Sequence, residues 1–323
     1  MSSPLGPGPA SFSIQRRGEL LRGPGASWLD HSVLDRVPDN RAETAWVDGL
    51  WESADAVVLA AAEAQVAVDS TGLRTEPSAG DYDPESHFLL GLVAGTPWFA
   101  AAGGEGLAPL RSVMDSLGTT ELELAFTAAG LVGWHARAGY CPTCGAATRA
   151  VAGGTVRRCT ACEQEQYPRT DPAVIVAILD DDDRLLLGRQ PVWPAGRHSV
   201  FAGFVEVGES LEQAVHREMA EEVGLTLHGL EYLGSQPWPF PRSLMVGFLA
   251  RADGTEITLA GDEIERARWF TREQLRTALD GEVILPPVTS IARRMIEAWL
   301  AGRLTAGAGD PVRCLGTADQ RLV

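Results

Sequence analysis

GFVEVGESLEQAVHREMAEEVGL, residues Gly203 to Leu225, sets a glycine-turned loop ahead of a helix crowded with carboxylates. Glu218 and Glu222 are four apart, so on a helix they share a face about one turn, roughly 5 to 6 Å, from each other. Glu221 sits about 60° round from that line. Three carboxylates this close repel unless cations compensate, and an all-oxygen set suits magnesium or manganese. Gly203 and Gly208 permit a sharp turn before the helix, and Arg217 is placed to fix the flanking carboxylates by bidentate hydrogen bonds. A solvated glutamate-rich face is the ordinary fate of one acidic pair, but it does not explain so many fixed positions at once.

Working outward, the 323 residues suffice for two domains with separate cores. The formal charge of −16 argues against a protein built mainly to bind polyanionic nucleic acid, and all 27 cationic side chains are arginine, which excludes a catalytic lysine. No run approaches the length of a transmembrane helix, and the first thirty residues lack a signal-peptide core, so a cytoplasmic protein away from membranes is expected. Cys141, Cys144, Cys159 and Cys162 form two CxxC pairs with the spacing of a structural zinc ribbon. Paired disulfides are the alternative. Cys314 stands apart as an unremarkable thiol.

In chain order, residues 1–30 are rich in Gly, Pro and Ser and read as poorly ordered. Asn40 to Val68 has a helical flavour, HFLLGLVAG and PWFAAA look like paired strands, and Thr120 to about Ala138 is a long, well-buried helix. Residues 31–138 thus form an α+β N-terminal domain, 139–166 the zinc ribbon, 167–303 the domain of the carboxylate helix, and 304–323 a loose tail. Ala173–Leu179 and Leu185–Arg189 read as a hairpin around Asp180–Asp183, a solvated turn rather than a metal site. Leu244–Ala250 and Arg266–Phe270 are further strands. Thr271–Leu279 and Ser290–Leu300 are helices, the former opened by a capping pattern. Strands alternating with helices imply an α/β fold, a mixed sheet between helical layers.

Ser235 to Ser243 reads SQPWPFPRS, in which Gln236, Trp238 and Phe240 each precede a proline and are pushed towards extended backbone. Pro237, Pro239 and Pro241 fix their own φ angles. The expected result is a stiff ribbon showing Gln236, Trp238 and Phe240 on one side, suited to stacking on a flat heteroaromatic ring. Burial as ordinary core is the alternative.

Gly203, Glu209 and the run Arg217 to Leu225 resemble the Nudix box at every fixed position. Together with SQPWPFPRS, the four-cysteine module, the YPR at Tyr167–Arg169 and the ARR at Ala292–Arg294, they resemble the NADH pyrophosphatase branch of the Nudix hydrolases, which includes NAD-capped RNA hydrolases. The resemblance implies an α/β/α Nudix sandwich and covers roughly residues 120–300. It implies that Glu218, Glu222, Glu221, the main-chain oxygen of Ala202 and Glu263 hold magnesium or manganese, with Glu209 and Arg217 completing the catalytic set. By the same correspondence Tyr167, Phe204, Gln236, Pro237, Trp238, Pro239, Phe240, Pro241, Arg242, Ser243 and Ala292 contact the dinucleotide. Arg242 departs from the glutamine that many members carry. The implied activity is hydrolysis of NADH or NAD to nicotinamide mononucleotide and AMP by a homodimer, with removal of NAD caps from RNA 5′ ends as a second role. Another nucleoside diphosphate derivative such as ADP-ribose, or a non-catalytic nucleotide sensor, are the competing expectations.

Overall fold

The computed structural model describes residues 32–259, 261 and 263–305. The expected disorder of residues 1–30, most of the expected tail and Cys314 lie outside them. Three units follow one another. The first is an eight-stranded sheet of β1 (Leu34–Asp35), β2 (Val57–Ala62), β3 (Gln65–Asp69), β4 (Gly72–Leu73), β5 (Thr75–Pro77), β6 (His87–Val93), β7 (Thr96–Ala102) and β8 (Leu107–Pro109). It carries helices α1 (Thr44–Trp51), α2 (Leu110–Val113) and α3 (Thr119–His135). Apolar residues round most of its circumference let α3 pack Leu122, Ala125 and Ala129 against Leu59 and Phe88 of the sheet. β6 and β7 pair antiparallel as expected. The helical reading of Asn40–Val68 is corrected: the helix stops at Trp51 and two strands follow, because alternating Leu59, Ala61 and Val66 are fully buried on one sheet face.

The second unit is a three-stranded ribbon, β9 (Thr148–Val151), β10 (Val156–Cys159) and β11 (Glu165–Gln166). A buried cation ties it to the first. Arg157 donates to Thr148 Oγ1 at 2.8 Å and Glu85 Oε2 at 2.8 Å, and lies 2.9 Å from His135 Nδ1. His135, stacked on Phe88 at 3.7 Å, is held neutral by burial, its pKa lowered to about 4. Its Nε2–H donates to Gly154 O and its Nδ1 accepts from Arg157.

The third unit contains a six-stranded mixed sheet: β12 (Asp171–Leu179), β13 (Leu185–Arg189), β14 (Phe201–Phe204), β15 (Leu227–Trp238), β16 (Ser243–Ala252) and β17 (Arg266–Phe270). The continuous apolar run of β12 is explained by cover on both faces. Val174, Val176 and Ile178 pack with Val215 and Met219 of α4 (Leu211–Val223). Ile175, Ala177 and Leu179 pack with Met295 and Trp299 of α6 (Ile291–Leu300) and Leu275 of α5 (Arg272–Ala278). This is the expected α/β/α sandwich. β12 runs parallel to β16 over nine residue pairs, Asp171↔Ser243 to Leu179↔Arg251.

Two local expectations change. Asp180 is buried rather than solvated, because its carboxylate accepts from the amides of Asp182 and Arg184 and pairs with the Arg184 side chain at 2.6 Å. Leu304, assigned to the loose tail, is buried against the α6 core.

Candidate active site

Local rules fix the carboxylate helix. Ser210 Oγ accepts from Gln213 N at 3.2 Å while Gln213 Oε1 accepts from Ser210 N at 2.8 Å, a capping box. At the other end Gly224 adopts φ +69° and closes α4 with a left-handed cap. Ala214, Val215, Met219 and Val223 face the sheet, which turns Glu218 and Glu222 towards β14. A Cβ on Gly203 would fall 1.9 Å from Glu218 Cδ, so only glycine lets that carboxylate lie against the strand. Gly203→Ala should therefore displace Glu218 and lower kcat/KM about 100-fold, with far-UV circular dichroism unchanged; near-normal kinetics would show that the close approach is unimportant.

Arg217 organises the surroundings. Its Nε and Nη2 donate to Glu209 at 3.1 and 2.6 Å, Nη2 also to Phe204 O at 2.9 Å, and Nη1 reaches Glu221 and Glu218, each at 3.0 Å. The guanidinium thus joins loop, strand and helix, holds the Glu209 carboxyl below its usual range and is itself raised by these partners. Glu218 is pushed up by burial, with Arg217 opposing. Glu222 is only 5% exposed, and burial, followed by the charges of Glu263, Glu218 and Glu221, raises its pKa to about 8. Its Oε2 has no hydrogen-bond partner among the described residues. Glu263, exposed and distant in sequence, lies near enough for its charge to act on Glu218 and Glu222. Glu222 and Ala202 line one cavity of about 90 Å³ together with Gln190, Trp193 and Ser199; nothing in the spacing of those last three marks them in the sequence.

A buried carboxylate oxygen without a donor, within reach of the charges of further carboxylates, fits a hard divalent cation. We propose Glu218, Glu222, Glu263 and the main-chain oxygen of Ala202 as its ligands, with Glu221 on the exposed flank.

The expected ribbon is corrected most. β15 ends at Trp238 and the chain reverses through Pro239–Arg242, with a cis Phe240–Pro241 peptide, into β16. The three side chains are not presented together. Gln236 is fully buried, its Nε2 donating to Thr289 O at 2.9 Å and its Oε1 accepting from Ile291 N at 2.7 Å. Trp238 and Phe240 pack edge to face at 4.9 Å and join the N-terminal core, Phe240 meeting Phe126 of α3. Arg111, missed by sequence reasoning, lies over both rings at 5.3 and 4.8 Å.

Pro237, Trp238, Pro239, Pro241, Arg242 and Ser243 line a second hollow, of about 630 Å³, facing Trp134 of α3 and Arg137 just beyond that helix. Arg242 pairs with Asp171 at 2.8 Å. Phe204 and Tyr167 are exposed, Tyr167 donating to Glu165 at 2.6 Å, and Ala292 is buried at the start of α6. Glu222 and the turn therefore line different hollows of one chain.

The four cysteine sulfurs lie within 4.8 Å of one another, with Cys144 at 3.4 Å from Cys159 and 3.5 Å from Cys162, and Cys141 at 3.6 Å from Cys162. These separations exceed a disulfide bond and approach the edge of a tetrahedron of sulfurs around zinc. The amides of Cys162 and Ala161 donate to Cys159 and lower its thiol to about 6, favouring the ligating thiolate.

Residues 169–290 match the NUDIX domain and residues 136–167 the NADH pyrophosphatase zinc ribbon domain. The chain therefore carries a Nudix domain preceded by that zinc ribbon. It is 44% identical over 202 residues to the NAD-capped RNA hydrolase NudC of Mycobacterium bovis (strain BCG / Pasteur 1173P2), a match covering 59% of this chain and 64% of that protein. It is 40% identical over 207 residues to the human NAD-capped RNA hydrolase NUDT12, covering 60% of this chain and 45% of that one. The match thus spans less than two thirds of either relative. A crystal structure of a NUDIX hydrolase from Nitrosomonas europaea aligns with TM-score 0.37 and 22% identity over 42% of this chain and 78% of its own.

Proposed function

We propose that the chain is a diphosphatase that hydrolyses NADH and NAD to AMP and, respectively, reduced and oxidised nicotinamide mononucleotide, and that it removes NAD caps from RNA. The observation that carries this is the joint presence of Glu218 seated against Gly203 beside the buried Glu222, the zinc ribbon and the SQPWPFPRS turn, with relatives named for NAD-cap hydrolysis. Divalent cations, magnesium or manganese, would neutralise the diphosphate and lower the pKa of the attacking water. The protein's part is to hold Glu218 against Gly203, keep Glu221 and Glu209 in place through Arg217, and bury Glu222, whose free oxygen can retain a proton until a cation replaces it. Phe204, Tyr167, the turn from Gln236 to Ser243 and Ala292 are assigned to the dinucleotide, with Gln236 acting through the backbone of Thr289 and Ile291.

The acidic charge fits contact with RNA confined to the cap. No helix among the described residues is long and apolar enough to cross a membrane; a cytoplasmic homodimer remains part of this proposal, carried by the resemblance to the NADH pyrophosphatase branch. The test is product identification after incubating NADH, and separately ADP-ribose, with magnesium or manganese. AMP and the reduced form of nicotinamide mononucleotide are expected from NADH. Faster AMP release from ADP-ribose would reassign the substrate, and binding without release would make the protein a sensor.

A further inference from the structure

The segment before α6 is gripped from two sides. Within the Nudix domain, Gln236 bonds both Thr289 O and Ile291 N. From the N-terminal unit, Asp115 Oδ1 accepts from Thr289 N at 3.0 Å and Thr289 Oγ1 at 2.6 Å, while its Oδ2 accepts from Val288 N at 3.0 Å. Asp115 follows α2, whose Arg111 covers Trp238 and Phe240. One short stretch of the N-terminal unit thus touches both the turn assigned to the dinucleotide and the segment that leads into Ala292.

We propose that Asp115 is a positioning residue of the dinucleotide pocket, through which the N-terminal domain sets the conformation of residues 286–292; this builds on the assignment of Trp238 and Ala292 to the pocket wall. One carboxylate taking three donors from two consecutive residues fixes their backbone, and charge-assisted bonds of this kind are stronger than neutral ones. The fixed conformation passes directly to Ala292, because Ser290 Oγ caps α6 by accepting from Arg293 N at 3.2 Å. Asp115 is itself exposed, so its removal leaves donors that water can reach. The consequence is local loosening rather than global unfolding.

The test uses the full chain carrying Asp115→Ala or Asp115→Asn, the latter keeping one acceptor oxygen for Thr289 while losing the bond to Val288. Backbone hydrogen exchange over residues 286–292 is read beside steady-state kinetics with whichever of NADH or ADP-ribose yields AMP. Asp115→Ala should speed exchange in that segment and raise KM, each about tenfold, with kcat within about twofold of the parent and Asp115→Asn intermediate. Unchanged exchange would overturn the grip, and this arm holds even if neither compound is a substrate. Faster exchange with unchanged KM would overturn the link to the pocket, as would losses that track the thermal midpoint alone.

Discussion

Glu222→Gln should reduce turnover of NADH at least about 1,000-fold while raising the stability of the metal-free protein at alkaline pH. The two effects have one origin. Glu222 is buried among like charges with an unpartnered oxygen, and its pKa rises from the ordinary 4.5 to about 8. A carboxyl raised in the folded state binds its proton more tightly there than when unfolded. Its contribution to folding is therefore full below about pH 4.5 and is lost as pH climbs through 8. Glutamine removes the ionisation, so at pH 8.5 the variant should exceed the parent by on the order of 2–4 kcal/mol, and at pH 4.5 by little. Chemical denaturation at both pH values, in chelator, measures this. For the parent, metal affinity should fall by up to about tenfold per unit as pH drops below 8, because proton and cation compete for one carboxylate. A variant that keeps its turnover, or shows the same stability difference at both pH values, would remove Glu222 from the site.

Cys159→Ser should cost about 3–5 kcal/mol of stability and release zinc, with chemistry impaired only as far as folding is lost. The ribbon is too small to hold itself by a core: of its cysteines Cys141 and Cys159 are buried, and Cys144 and Cys162 exposed. Its three strands are closed by the sulfur cluster, and Arg157 then reaches out of it to Glu85 and His135. Opening the cluster therefore loosens the N-terminal unit as well. Metal analysis together with thermal unfolding in the presence and absence of chelator decides the matter. Absence of zinc from the purified parent, or an unchanged midpoint in the variant, would refute the role.

The sandwich was legible from sequence because its signals are local. An uninterrupted apolar run demands cover on both faces, which β12 receives, and the Thr271 and Ser290 caps announce their helices, Thr271 Oγ1 accepting from Gln274 N at 3.1 Å and Ser290 Oγ from Arg293 N at 3.2 Å. Asn40–Val68 misled because an alanine-rich run has helix propensity, whereas burial of alternate residues on a sheet decided the outcome. The SQPWPFPRS segment misled for a different reason. Proline restricts φ but does not state which neighbour the next ring will meet, and the N-terminal core took Trp238 and Phe240.

For the active site, the spacing of Glu218, Glu221 and Glu222 on one helix and the four cysteines in two CxxC pairs were determined by the sequence alone, since helical and tight-turn geometry follow from a few adjacent residues. The Gly203 to Leu225 stretch also contained its own caps. Only the tertiary structure could bring the charge of Glu263 to bear on Glu222, seat Glu218 in the gap left by the Gly203 side chain, and bind Asp115 to Val288 and Thr289. Those approaches join residues tens to hundreds of positions apart. They depend on how sheet and helices stack, a property of packing that no local stretch of chain encodes.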